Sequence, residues 1–164
     1  MTTDSAPDMD NDTALPLDNP LLEYLGIRQV ATAPGRCEFR LDVLPRHLNR
    51  SGSLHGGAVA TLLDAACGYA GLHAEDGSAP PAQAVTVMLT ISYLGRVDAG
   101  RIRALGRVIG GGRKLYFSTA ELIAEDGRLI ATAQGSFKRF SAAGDGAAAA
   151  PAASADERRR DGRA

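Results

Sequence analysis

Apolar and polar positions alternate in two parts of the chain and stop alternating between them. In the first part, Cys37, Phe39, Leu41 and Val43 are interleaved with Arg36, Glu38, Arg40 and Asp42. That period of two predicts a half-buried strand over Arg36 to Val43. Ile27 to Ala31 reads as a strand before it, across the Pro34-Gly35 turn. Ahead of both, Asn19 as N-cap and Pro20 at the first position predict a short helix, Leu21 to Leu25, ended by Gly26. Pro45 to Leu54 is the connection into the middle of the chain. There, Ala58 to Leu72 holds only Ala, Val, Leu, Cys, Gly and Tyr apart from Thr61 and Asp64. A helix that is apolar on every side is a buried helix.

Beyond it, Ala74 to Pro81 is polar and proline-rich and reads as a loop. Gln83 to Leu94 is a long strand with Val85, Val87, Leu89, Ile91 and Tyr93 on one face. Ala84, Thr86, Met88, Thr90 and Ser92 form the other, smaller and more polar, a pattern that permits both faces to be covered, one of them by a ligand groove or the helix. Further strands follow over Arg101 to Ile109, Lys114 to Ala124 and Leu129 to Phe140. Gly110-Gly111-Gly112 interrupts the first pair, and Asp126-Gly127 supplies the strongest hairpin signal in the chain. Five or six strands, at least three in a meander, with one central helix make an α+β domain: an antiparallel sheet curled around the helix. So small a sheet has exposed edges, and pairing of two copies through an edge strand would remove one.

Composition narrows the function. The 164 residues suffice for one domain with a core. A net charge of -1 gives no electrostatic footprint for nucleic acid, and no apolar run is long enough to span a membrane. Residues 1–18 are acidic and aperiodic and read as a disordered tail, without the features of a secretory signal. Residues 19–140 form the domain, and 141–164, rich in Ala and Arg, read as a second low-complexity tail. Cys37 and Cys67 lack zinc or redox spacing and are expected to be reduced buried thiols of a cytoplasmic protein. No cluster suggests a metal, and His47 and His73 look like ordinary surface residues.

The chemistry concentrates between Asn49 and Leu72. His55-Gly56-Gly57 opens the helix, where backbone N–H groups lack intrahelical partners and the dipole is positive. With no side chains in the way, an oxygen bearing negative charge can sit there. Asp64 is the helix's one ionisable residue, and an acid so placed has either a partner or a task. Gly57 and Asp64 are seven residues apart, about 10 Å along the axis. An Asp cannot span that gap to a carbonyl held at its own helix start, so one site needs Gly57 from one subunit and Asp64 from another.

The run Asn49-x2-Gly52-x2-His55-Gly56-Gly57-x6-Asp64 resembles the hotdog-fold acyl-CoA thioesterases, specifically the phenylacetate-degradation (PaaI-like) branch. The likeness continues through Ile91 to Leu94, Gly112 to Leu115 and Asp126 to Phe137, so it covers about residues 19 to 140. It implies hydrolysis of an acyl-CoA to a free acid and coenzyme A, with coenzyme A as part of the substrate and no separate cofactor. In that family's terms Gly57 matches the glycine whose N–H polarises the thioester carbonyl, with Gly56 beside it. Asp64 matches the nucleophile or general base. Asn49 and His55 match residues that line the site, and Thr86 falls where relatives carry a Ser or Thr beside the carboxylate. Met88 departs from the acidic residue often found at its position. Arg113 and Lys114 sit where the family contacts the nucleotide end of coenzyme A. The resemblance further implies a homodimer, assembled as a homotetramer of two dimers.

Each of these residues also has a plainer reading. His55 can be a helix cap, Asp64 a structural acid, Gly56-Gly57 a close-packing pair, Thr86 a strand former, and Arg113-Lys114 a solvated hairpin end. Two further functions stay in view: a hotdog hydratase or dehydratase, and a non-catalytic acyl-CoA binding or sensing module.

Overall fold

A computed structural model describes residues 14, 15, 17, 19–72 and 83–140. The expected tails and the Ala74 to Pro81 loop, with His73, therefore lie outside the described residues, apart from 14, 15 and 17. Helix α1 spans Pro20–Leu25, with the Asn19 side chain accepting from Leu22 N–H and Gly26 in the left-handed region at φ 73°. Strands β1 (Arg28–Ala33) and β2 (Arg36–Asp42) follow, then a 3-10 turn at Pro45–His47 and the central helix α2, Gly56–Tyr69. Strands β3 (Gln83–Tyr93), β4 (Arg101–Gly111), β5 (Leu115–Ala124) and β6 (Leu129–Phe140) complete one antiparallel sheet in the order β1-β2-β4-β5-β6-β3.

The sheet packs one face on α2, and the contact is close because glycine permits it. A Cβ built on Gly106 of β4 would stand 1.9 Å from the Ala66 carbonyl oxygen, and one on Gly71 would stand 2.2 Å from the Tyr116 ring. Val59, Leu62, Leu63, Ala66 and Cys67 of α2 are buried against Phe39, Ile102, Leu122 and Phe137 of the sheet. Side chains of the sheet also bond carbonyls in the last turns of α2 and just beyond, two of which, Ala66 O and Gly68 O, already accept from Ala70 and Gly71 N–H. Cys37 Sγ bonds Ala66 O (3.1 Å), Ser118 Oγ bonds Cys67 O (2.8 Å), Tyr116 Oη bonds Gly68 O, and Arg139 Nε bonds Gly71 O (2.8 Å).

Four expectations change. The helix is not buried on every side: Gly57, Ala60, Thr61, Asp64 and Gly68 stay at least partly exposed, and their spacing places them in one stripe. Small apolar side chains conceal an open face from a composition argument, because alanine and glycine fit either environment. Strand β2 is buried on both faces through its centre, with Glu38 and Arg40 each 3% exposed and joined by a 2.8 Å ion pair. His47 is a buried residue, 2% exposed, whose Nδ1 accepts from Leu44 N–H. On β3, strict alternation fails at Val87. Thr86 pairs with Phe137 and Met88 with Ser136, leaving Val87 as the extra residue of a bulge. Past the bulge the faces exchange, so Ala84, Leu89 and Ile91 all pack on the core, and Thr86 looks the same way.

Burial, with the Arg46 charge beside it, lowers the His47 pKa from its ordinary 6.5. The unfolded chain then binds this proton more readily than the folded one, so the stabilisation is full above about pH 6.5 and is lost as pH falls toward the depressed folded value. A urea midpoint that drops on acidification from about pH 7.5 to about 5.5, and drops less in His47→Asn, is the expected result.

Candidate active site

Asp64 stands in the middle of the open stripe of α2, and the β3 bulge turns Thr86 toward it: Thr86 Oγ1 donates to Asp64 Oδ1 at 2.8 Å. One carboxylate oxygen is thereby held, and the other is left to meet water or substrate on the partly exposed side of the helix. No described residue places a cation on this carboxylate. Thr86→Val keeps the shape of the side chain and removes the donor. A loss of about tenfold in kcat/KM, restored by Thr86→Ser, is expected from a hydrogen bond to a charged group, with the melting temperature little changed.

The start of the helix is built differently from its sequence pattern. His55 is the N-cap, and its Nδ1 accepts from Gly57 N–H at 2.9 Å, which puts the ring proton on Nε2. Gly57 N–H, the expected oxyanion donor, is thus occupied. Gly56 N–H donates to no described group, and Gly56 lines a recess of about 350 Å³ together with Asn49, Ser51, Tyr93 and Arg96. Tyr93 Oη donates to Gly56 O at 3.1 Å, tying the end of β3 to the helix start. The hydrogen bonds distinguish the two glycines: the motif points to Gly57, whose N–H is bonded by His55, whereas Gly56 N–H has no described partner.

Asn49 wraps its own loop. Its Oδ1 accepts from Ser51 N–H (2.9 Å) and Ser53 N–H (3.2 Å), and Asn49 lines the recess with its amide nitrogen bonded to no described residue. Arg96, which no sequence motif singles out, holds the same loop from beyond the end of β3: Nε bonds Ser53 Oγ at 2.8 Å and Nη2 bonds Ser51 O at 3.3 Å. Arg113 and Lys114 are exposed on the β4-β5 hairpin. That hairpin lies at the C-terminal end of α2, since Arg139 bonds both Gly71 O and Gly112 O. Within one chain they are therefore gathered with neither Gly56 nor Asn49.

The thiols take no part. Burial, with Cys67 nearby, pushes Cys37 up to about 12, and burial pushes Cys67 up to about 11. A protonated buried thiol is not a nucleophile. Iodoacetamide at about pH 8 should leave both unmodified until the protein unfolds. Among the described residues no cluster of His, Cys, Asp or Glu could hold a metal ion, and no helix is long and apolar enough to cross a membrane.

Comparison of the chain with known proteins gives its class. The Thioesterase superfamily profile matches residues 51–131, from the loop before α2 into β6. Human acyl-coenzyme A thioesterase 13 is 35% identical over 107 residues, covering 64% of this chain and 74% of that one.

The chain belongs to the thioesterase superfamily. Among solved structures, a thioesterase family protein from Silicibacter pomeroyi aligns with a TM-score of 0.66 at 32% identity, over 75% of this chain and 90% of the other. A mutant form of the phenylacetic acid degradation protein PaaI from Thermus thermophilus aligns at 0.64 and 28%, over 74% of this chain and all of the other. The expected hotdog architecture and the PaaI-like resemblance are borne out, and the reaction class is thioester hydrolysis.

Proposed function

We propose that the protein hydrolyses an acyl-CoA to a free acid and coenzyme A at a site shared between two copies of the chain. The Asp64–Thr86 pair on the uncovered stripe of α2 carries this reading. The thioester carbonyl oxygen sits on Gly56 N–H, joined by Gly57 N–H when His55 swings away. Such a donor contributes about 3 kcal/mol to the transition state. Asp64 of the other copy either attacks the carbonyl carbon or takes a proton from the attacking water, and the coenzyme A thiolate departs. Asn49 orients the water or the leaving group through its free amide nitrogen. Arg113 and Lys114 of the Asp64-bearing copy face the nucleotide end of coenzyme A.

A second copy also answers a physical need. β3 is an edge strand with Val85, Val87 and Met88 exposed, a pairing template beside the open stripe of α2. A two-fold axis there sets the two helices antiparallel and brings each helix start toward the other's Asp64. The homotetramer belongs to the same proposal as a pair of such dimers.

Thiol release from a panel of acyl-CoAs (aromatic and short to long aliphatic) tests the activity and names the acyl group. Gly56 is the first helical position and His55 has ψ 134°, a geometry in which proline is tolerated. Gly56→Pro therefore deletes one N–H and little else, and a loss in kcat of on the order of 100-fold is expected. Gly57→Pro should cost less, and the reverse order would return the donor role to Gly57. Co-expressed Gly56→Pro and Asp64→Asn chains should recover about a quarter of wild-type activity, since half the dimers are mixed and each holds one intact site. No recovery would sink the shared site, and binding of every acyl-CoA without release would leave a binding module.

A further inference from the structure

The recess that holds Gly56 is lined by a single cation, Arg96, and by neither Asp nor Glu. One edge of the Arg96 guanidinium is occupied, with Nε on Ser53 Oγ and Nη2 on Ser51 O. A guanidinium is a planar fork with five N–H donors. Its other edge, Nη1 with the second Nη2 hydrogen, bonds no described residue. No carboxylate among the described residues pairs with Arg96 either. Asp126 is taken by Arg128 at 2.7 Å, and Arg128 Nη1 in turn donates to Arg96 O. Leu54, Val59, Val97 and Ile130, all buried, supply the apolar part of the lining.

We propose that Arg96 selects acyl groups that end in a carboxylate, so that the preferred substrate is a short ω-carboxyacyl-CoA. This rests on the acyl-CoA hydrolysis proposed for Gly56 and Asp64. In that arrangement coenzyme A runs toward Arg113 and Lys114 of the Asp64-bearing copy, and the acyl end is the part left to the recess. Its methylenes lie along the apolar lining, and its carboxylate meets the free edge of the guanidinium, a planar match that an ammonium does not make. The volume of about 350 Å³ is near the lower bound of about 300 Å³ for ligand pockets, which keeps the acyl group to a few carbons. Ser51 and Ser53 already hold the guanidinium, so little side-chain freedom is lost when the anion arrives. The other anion of the substrate, the coenzyme A diphosphate, is the poorer occupant. The whole pantetheine arm separates it from the thioester, a length greater than the width of the recess.

The test pairs succinyl-, glutaryl- and adipyl-CoA each with a neutral counterpart carrying isopropyl in place of the carboxylate. Thiol release above the enzyme-free rate gives kcat/KM for both members. The wild type should favour the carboxylated member of at least one pair by about tenfold. That is the low end for a hydrogen bond to a charged group, because Arg96 is exposed in the free chain. Arg96→Met keeps the apolar stem and removes the charge, and the preference should vanish. Arg96→Lys keeps the charge without the fork and should retain a preference of about two- to threefold. The ratio within a pair is the readout, because a loop merely loosened by the lost bonds to Ser51 and Ser53 slows both members alike. Equal rates within every pair, or a preference that survives Arg96→Met, overturns the subsite and leaves acyl-CoA hydrolysis standing. An equal rise in KM for both members, matched by weaker inhibition by free coenzyme A, gives the guanidinium to the diphosphate and overturns it equally. Hydrolysis of no acyl-CoA at all removes the underlying reaction, and the subsite with it.

Discussion

Replacing Asp64 by Asn is expected to lower kcat/KM for the preferred acyl-CoA by on the order of 10³–10⁴, the range set by a lost general base or nucleophile. The substitution keeps the volume of the side chain and an oxygen for Thr86 to bond, so the 2.8 Å contact has a surviving acceptor. What it removes is the negative charge and the basic oxygen. A thousandfold loss corresponds to about 4 kcal/mol of transition-state stabilisation. The melting temperature should stay within about 2 °C, because Asp64 is only half-buried and surface changes cost little. A variant retaining more than a tenth of wild-type activity would remove Asp64 from the reaction and leave the family assignment standing. Single-turnover hydrolysis in ¹⁸O-water then tests the nucleophilic role. Label found in the Asp64 carboxylate marks an acyl-aspartate intermediate opened at the aspartyl carbon, whereas label in the acid product alone is common to water attack on the substrate and to an anhydride opened at its acyl carbon.

The second large effect is structural and starts from a missing side chain. Gly106→Ala places a methyl group 1.9 Å from the Ala66 carbonyl oxygen and 2.5 Å from its carbon, both backbone atoms that no rotamer change can move. Helix and strand must separate by more than an ångström. Overpacking of this kind costs about 1–3 kcal/mol, occasionally more, and the upper end is expected because the bonds around the site fail with it. Cys37 to Ala66 O and Ser118 to Cys67 O both depend on the same approach. At about 3 kcal/mol the melting temperature falls by about 6–12 °C for a chain of this size. Asp64 lies two residues from Ala66, so the displacement should also loosen its contact with Thr86 and reduce kcat beyond the loss of folded protein. A thermal unfolding curve paired with activity at a temperature where the variant is fully folded separates these two losses. An unchanged melting temperature would show that the helix can retreat without cost, which the bonds from Cys37 to Ala66 O and from Ser118 to Cys67 O argue against.

The pattern of polar and apolar positions determined a good deal of this protein. Asn19, Pro20 and Gly26 fixed the first helix through local capping chemistry, and Asp126-Gly127 fixed the last hairpin, with Gly127 at φ 83°. Five or six strands and one central helix followed from periodicity, and the spacing of His55, the glycines and Asp64 carried the family resemblance. All of these rest on interactions within a few residues of one another. The tertiary structure decided whatever depends on distant partners. A bulge at Val87 reversed the faces of β3 and turned Thr86 onto Asp64, since register is set by β6 and not by β3 itself. Glu38 and Arg40 are closed from water at the centre of β2, on the face that alternation alone assigns to solvent. Which glycine N–H is free depends on where the His55 ring settles, and the open stripe of α2 emerges only once its other side has packed on the sheet. Alanine and glycine are compatible with either side, so their sequence pattern could not choose, and packing did.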